Sequence, residues 1–246
     1  MIKTSFILYI ILLNSLFADV SGTLQLESGV NRNTLIELYT SEGCSSCPPA
    51  EEFLNSIKGR KDLWKKWIPV AFHVDYWDYI GWKDPYAMKK YGQRQSHYAR
   101  LKRASTVYTP AFMVNGESWR RGIFSRTLPD KTSAVGKLVL SVNNKNIQAT
   151  YQSKIKSALK LNVAVLAMDL TSVIERGENE GRTAQHEFVV VGFNSTASKN
   201  LNWKTKLPKL HYTKAKKYAL AAWVSKTDDP TPIQAVGGIF STTKHR

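Results

Sequence analysis

At 246 residues, 43% apolar and 22% charged, the chain has material for one large domain or two modest ones and the composition of a soluble globular protein. Its formal charge of +16 implies contact with anionic surfaces, but the basic residues are dispersed, and no helix-turn-helix pattern, zinc-finger spacing or arginine-rich arm converts charge into base recognition. Nucleic acid is therefore not an expected partner. Gly-x-Ser-x-Gly and Gly-x-x-x-x-Gly-Lys are absent, so serine-hydrolase and nucleotide chemistry lose support and no cofactor is expected.

In chain order, Met1-Ile2-Lys3 precedes an almost wholly apolar run over 6–17 and the small residues Ala18, Ser21 and Gly22. That is the layout of a secretory signal over 1–22, with cleavage after Ala18 or Gly22. No other stretch of about twenty apolar residues follows, so no stable membrane insertion is expected after cleavage and the mature protein is placed in the periplasm or outside the cell. Residues 35–40 form an apolar strand-like run, 48–57 a helix with prolines confined to its first turn, and 69–75 a second buried strand. The polar segment 86–103 has helical character, and residues 111–114 form a strand that ends in an Asn115-Gly116 hairpin turn. Strand, helix, strand, helix and hairpin make an α/β layout. From about residue 136 onward, short runs at 137–142, 147–151, 161–170, 187–193, 217–225 and 233–240 predict an antiparallel β-sandwich. The boundary falls near 127–133, giving an α/β domain over 23–130 and a β-rich domain over 131–246.

The two cysteines lie together in Gly43-Cys44-Ser45-Ser46-Cys47-Pro48-Pro49. Two intervening residues let both sulfurs lie over one helical turn, close enough to form and break a disulfide, with Cys44 nearest the helix start where a thiolate is favoured. Cys44 is thus the candidate nucleophile and Cys47 the resolving thiol. A static disulfide is the plain alternative, although so small a loop constrains the unfolded chain little. A thiolate metal site for Cu(I) or Zn, with His73 or Met113, is a second alternative; four ligands cannot be assembled from the sequence, and no metal residues are assigned. His73 and Asp75 alternate with Val74 on one strand face, where they could move protons near the thiols or form a satisfied buried pair. Trp77, Trp82, Tyr76 and Tyr79 follow the strand and could flank a peptide groove or pack as core and rim. The string 176–183 reads as a solvated loop between strands, with an interdomain or ligand contact as the alternative.

The order of Cys-x-x-Cys, helix and a later Thr109-Pro110 before a strand and hairpin resembles the thioredoxin fold. The strings Glu37-Leu38-Tyr39-Thr40-Ser41-Glu42-Gly43-Cys44-Ser45-Ser46-Cys47-Pro48-Pro49-Ala50, Phe72-His73-Val74-Asp75-Tyr76-Trp77-Asp78 and Gly81-Trp82-Lys83-Asp84-Pro85 resemble a family of secreted thioredoxin-like proteins, known as domain of unknown function 1223. The string Arg176-Gly177-Glu178-Asn179-Glu180-Gly181-Arg182-Thr183 with His186 is similar to that family's second half. The resemblance implies a thioredoxin-like α/β domain, a cis bond before Pro110, and a partner surface shaped by Pro110 and Thr109 beside the cysteines. It departs from the pattern at 120–133, which offers little periodicity for the closing helix. The function expected is that of an exported thiol–disulfide oxidoreductase acting on protein thiols or disulfides. The alternative is an envelope binding protein that keeps the scaffold without turnover.

Overall fold

The computed structural model describes residues 22–120, 127–130 and 132–240. The expected leader over 1–22 lies outside these residues except for Gly22, and so does part of the segment where the closing helix was in question. No helix of the described residues is long and apolar enough to cross a membrane.

Fourteen strands and two α-helices form among the described residues. In order they are β1 Gly22–Glu27, β2 Thr34–Thr40, α1 Pro48–Ser56, β3 Trp67–His73, α2 Lys89–Arg100, β4 Ala111–Val114, β5 Glu117–Trp119, β6 Lys137–Asn144 and β7 Asn146–Gln152. Then come β8 Leu159–Met168, β9 Leu170–Val173, β10 Thr183–His186, β11 Val189–Ser198, β12 Asn202–Lys206, β13 Lys217–Lys226 and β14 Pro232–Phe240. An eight-stranded mixed sheet runs β14-β13-β8-β11-β3-β2-β4-β5, a four-stranded sheet runs β1-β6-β7-β12, and β9 pairs with β10.

Local signals set much of this. Pro48 and Pro49 open α1, where their missing N–H groups cost nothing. In α2, Tyr91, Gly92, Gln95 and Tyr98 make one buried face at helical spacing, so only 89–100 of the polar segment coils. Asn115 and Gly116 both take positive φ, 50° and 83°, as a two-residue hairpin turn between β4 and β5 requires. Every residue of β2 and β3 is buried, as befits strands covered on both faces.

The architecture corrects the expected fold class. A thioredoxin-like α/β domain followed by a separate sandwich is not what forms; the chain is β-rich, and its main sheet passes through both halves. The junction is β3 with β11, where Ala71 pairs in parallel with Val189. The physical reason lies in β8 and β13, whose residues are buried almost throughout. Alternate side chains of β8 serve two cores. Ala164, Leu166 and Met168 join the one around β2, β3 and the helices, while Val163, Val165 and Ala167 join the one beneath the four-stranded sheet. Strands apolar on both sides need cover on both sides, and continuing the first sheet supplies it.

Candidate functional site

The cysteine turn follows β2. Cys44 donates its N–H to the Ser41 carbonyl at 3.1 Å and accepts from the Cys47 N–H at 3.1 Å. Cys47 is the N-cap of α1, and its carbonyl accepts the N–H groups of Ala50 and Glu51. The expected placement is therefore corrected: Cys47 starts the helix, and Cys44 lies in the turn ahead of it. Both are free thiols and buried, Cys44 at 1% exposure and Cys47 at 0%. The Cys47 thiol hydrogen-bonds to Cys44 and, with the Ser46 hydroxyl and backbone and the Thr109 hydroxyl, overcomes burial to lower the Cys44 pKa to about 6. Ser46 Oγ lies 3.4 Å from Cys44 Sγ. Burial, and then the hydrogen bond and charge of Cys44, push the Cys47 thiol far up. One sulfur is prepared as thiolate and the other as thiol.

Pro110 and Thr109 stand beside this turn, joined by a cis peptide bond. Pro110 lines an open groove of about 530 Å³ with Ser46, Pro49, Tyr108, Phe112 and Trp119. Trp77 donates from Nε1 to Thr109 Oγ1 at 2.7 Å, and Tyr79, 80% exposed, stacks on Trp77. Trp82 turns instead to Glu42, donating from Nε1 to Oε2 at 2.7 Å.

The segment between β9 and β10 is not simply solvated. Asn179 is buried and donates from Nδ2 to the carbonyl oxygens of Glu42 and Cys44, at 2.7 and 3.0 Å. Glu178 accepts the Ser45 N–H at 3.2 Å. Gly177, at φ +80°, lets the segment close on Trp82; a Cβ there would come within 3.3 Å of that side chain. Distant chain thus straps the cysteine turn.

Behind Cys47 lies a buried polar cluster. Thr40, at the end of β2, hydrogen-bonds the Cys47 thiol and donates to Glu51 Oε1 at 2.5 Å. Glu51 Oε2 meets His186 Nδ1 at 2.6 Å, and His186 Nε2 meets Glu42 Oε1 at 2.9 Å. Burial disfavours a charged His186, but Glu51 and Glu42 outweigh it and raise its pKa to about 10. His73 Nδ1 contacts Asp84 Oδ2 at 2.7 Å, while its Nε2 is buried without a partner. The two imidazole rings lie 5.3 Å apart, edge to face.

The structure therefore brings Cys44, Cys47, Thr109, Pro110 and Trp77 together. It separates Asp75 from His73, because β3 ends at His73 and the carboxylate that faces its ring belongs to Asp84. Sequence reasoning missed Glu42, Glu51, Asp84 and Asn179 as site residues. The signals available were Glu42 inside the cysteine string and Glu51 one helical turn beyond Cys47, on the same face.

A family model described as protein of unknown function (DUF1223) matches residues 35–225, a span that holds every residue of this site. A structural-genomics crystal structure of a protein from Agrobacterium tumefaciens is similar with a TM-score of 0.57 and 22% identity, over 87% of this chain and 96% of that one. HBP35 of Porphyromonas gingivalis is similar with a TM-score of 0.58 and 15% identity, over 89% of this chain and 79% of that one. At these identities the likeness is one of fold. No curated protein matches.

Proposed function

This chain belongs to the DUF1223 family, which is described without an activity, and we propose that the protein is an exported thiol–disulfide oxidoreductase with Cys44 as the exchanging sulfur and Cys47 as its resolving partner. The observation that carries the reading is the cysteine turn itself. The chain's two cysteines are hydrogen-bonded neighbours, one held towards thiolate and the other towards thiol. A stabilised Cys44 thiolate favours the reduced pair, so net transfer runs from a partner dithiol to the protein disulfide. A partner thiolate attacks Cys44 Sγ, the bond to Cys47 breaks, and Cys47 leaves and takes a proton. A second partner thiolate attacks the partner sulfur of the mixed disulfide, and Cys44 leaves as thiolate. The partner gives up two electrons and becomes a disulfide; the pair gains them. The groove at Pro110 and the exposed Tyr79 beside Trp77 offer apolar surface to an extended protein segment.

Burial of both sulfurs favours a second reading, in which the turn is a static element of a non-catalytic binding protein. Under the redox reading Cys44, 1% exposed, must open to solvent before a partner reaches it. Cys47→Ala in the native compartment separates the two. Without Cys47 the Cys44 thiolate can still attack a partner disulfide, the reverse of the second step, releasing one partner thiolate, and no Cys47 thiol is present to resolve the product. Exchange therefore predicts mixed disulfides between Cys44 and other proteins on a thiol-trapping gel, whereas a static turn traps none.

A further inference from the structure

We propose that His73, His186 and Glu51 form a binding site for a divalent transition-metal cation of the zinc class. The three residues are buried, and one ligand atom from each lies within 4.8 Å of the others. Two imidazoles and a carboxylate are a donor set that suits zinc and its neighbours, and a tetrahedral ion with bonds of about 2.0–2.1 Å spaces its ligands roughly 3.4 Å apart.

Three features distinguish this trio from a chance polar cluster. First, His73 Nε2 is a buried nitrogen with no hydrogen-bond partner, and His73 is 1% exposed. Leaving such an atom unpaired is a standing cost that a metal bond would offset. Second, each ligand is oriented from behind. Asp84 takes the Nδ1 side of His73, Glu42 takes the Nε2 side of His186, and Thr40 holds the far oxygen of Glu51. That leaves Nε2 of His73 free for an ion, while Nδ1 of His186 and Oε2 of Glu51, hydrogen-bonded to each other at 2.6 Å, would give up that bond and its proton to join it, in the carboxylate-backed histidine arrangement common around metals. Third, three carboxylates face two imidazoles in a buried space, where a dication can replace the proton held between His186 and Glu51. A cavity of about 360 Å³ is lined by Glu51 and His186 and offers a path to two of the three ligands.

The site excludes the thiols, so it stands or falls apart from the redox reading; Thr40 is the bridge between them, touching both Cys47 and Glu51. The test uses the full-length mature protein, untagged, stripped with chelator and titrated with Zn²⁺ and Co²⁺. The expected result is one equivalent of either ion, with visible bands of tetrahedral Co²⁺ and no thiolate charge-transfer band. The Cys44→Ser/Cys47→Ser double variant should bind equally well. His73→Ala should abolish binding, and Asp84→Asn, which keeps the ligands but weakens their support, should cost about 10–100-fold in affinity. Absence of stoichiometric binding by the wild-type chain overturns the proposal without reference to any variant's folding. So does binding lost in the cysteine variant, or binding that survives His73→Ala and His186→Ala together.

Discussion

Asn179 Nδ2 donates to the carbonyl oxygen of Cys44 at 3.0 Å, joining residues 135 positions apart in the chain. The same amide group reaches the carbonyl of Glu42 at 2.7 Å. One buried side chain therefore ties together both ends of the turn that holds the first sulfur.

Replacing Asn179 with Ala should remove the side-chain bond to the Glu42 carbonyl, while the Cys44 carbonyl keeps the Cys47 N–H, and cost about 1–3 kcal/mol of stability. It should also speed alkylation of Cys44 in the folded, reduced protein, because the strap loses its hold. Urea denaturation and timed alkylation with peptide mapping check the two effects. Lower stability with unchanged Cys44 reactivity would mean that the strap supports the fold without guarding the thiol.

The lowered pKa of Cys44 sets a pH profile. Its alkylation should rise through about pH 6 and level off above, while Cys47 stays unreactive across the same range because its thiol is pushed up. Folding lowers this pKa below its ordinary value of 9.0, so the contribution to stability in the reduced protein is fully present above about pH 9 and is lost as pH falls through about 6. Cys47→Ala removes the main donor to Cys44 and should move the alkylation midpoint upward, towards the free-cysteine value of about 8.5. A wild-type midpoint already at that value contradicts the thiolate assignment.

The parts of this structure legible in the sequence were those with local causes. Pro48-Pro49 opens α1, Asn115-Gly116 turns the β4–β5 hairpin, and the apolar runs of β2, β3, β8 and β13 all form strands. What joins them was not legible. An apolar strand carries no mark of which neighbour it takes, so the pairing of β3 with β11 and the single sheet through both halves had to come from packing. The site divides the same way. Cys44 and Cys47 announce themselves by spacing, whereas His186 and Glu51 meet only because α1 and β10 fold together. Asn179 sits in a charged, glycine-flanked string that resembles any solvated loop, and only tertiary contact reveals that it is buried. Asp75 shows the opposite failure: strand alternation places it beside His73, but the strand stops first.

Arg94 and Glu37 form a buried pair, Nε to Oε2 at 2.7 Å and Nη2 to Oε1 at 3.0 Å, with Tyr39 and Tyr98 donating to the same carboxylate. Arg94→Ala strands that carboxylate in the core and should destabilise the protein by about 3–5 kcal/mol. Arg94→Lys keeps the charge but loses the two-pronged contact, and should fall between wild type and Ala in urea denaturation.

Gly116→Ala should weaken the β4–β5 hairpin. The residue sits at φ +83°, and an added Cβ would meet the Thr231 side chain at 2.7 Å. Strain and collision together should exceed about 1 kcal/mol in thermal or urea unfolding. An unchanged midpoint would place the turn in another conformation.

Cys44 and Cys47, if they serve as proposed, interconvert reversibly between dithiol and disulfide in the folded protein. Equilibration of the mature chain across a series of glutathione redox ratios, with acid quenching and thiol counting by mass, measures this. The expected result is two free thiols at the reducing end, none at the oxidising end, a monomer throughout, and one two-electron transition that runs identically in both directions. A pair that cannot be reduced without unfolding, or that never closes into a disulfide with the fold intact, would contradict it.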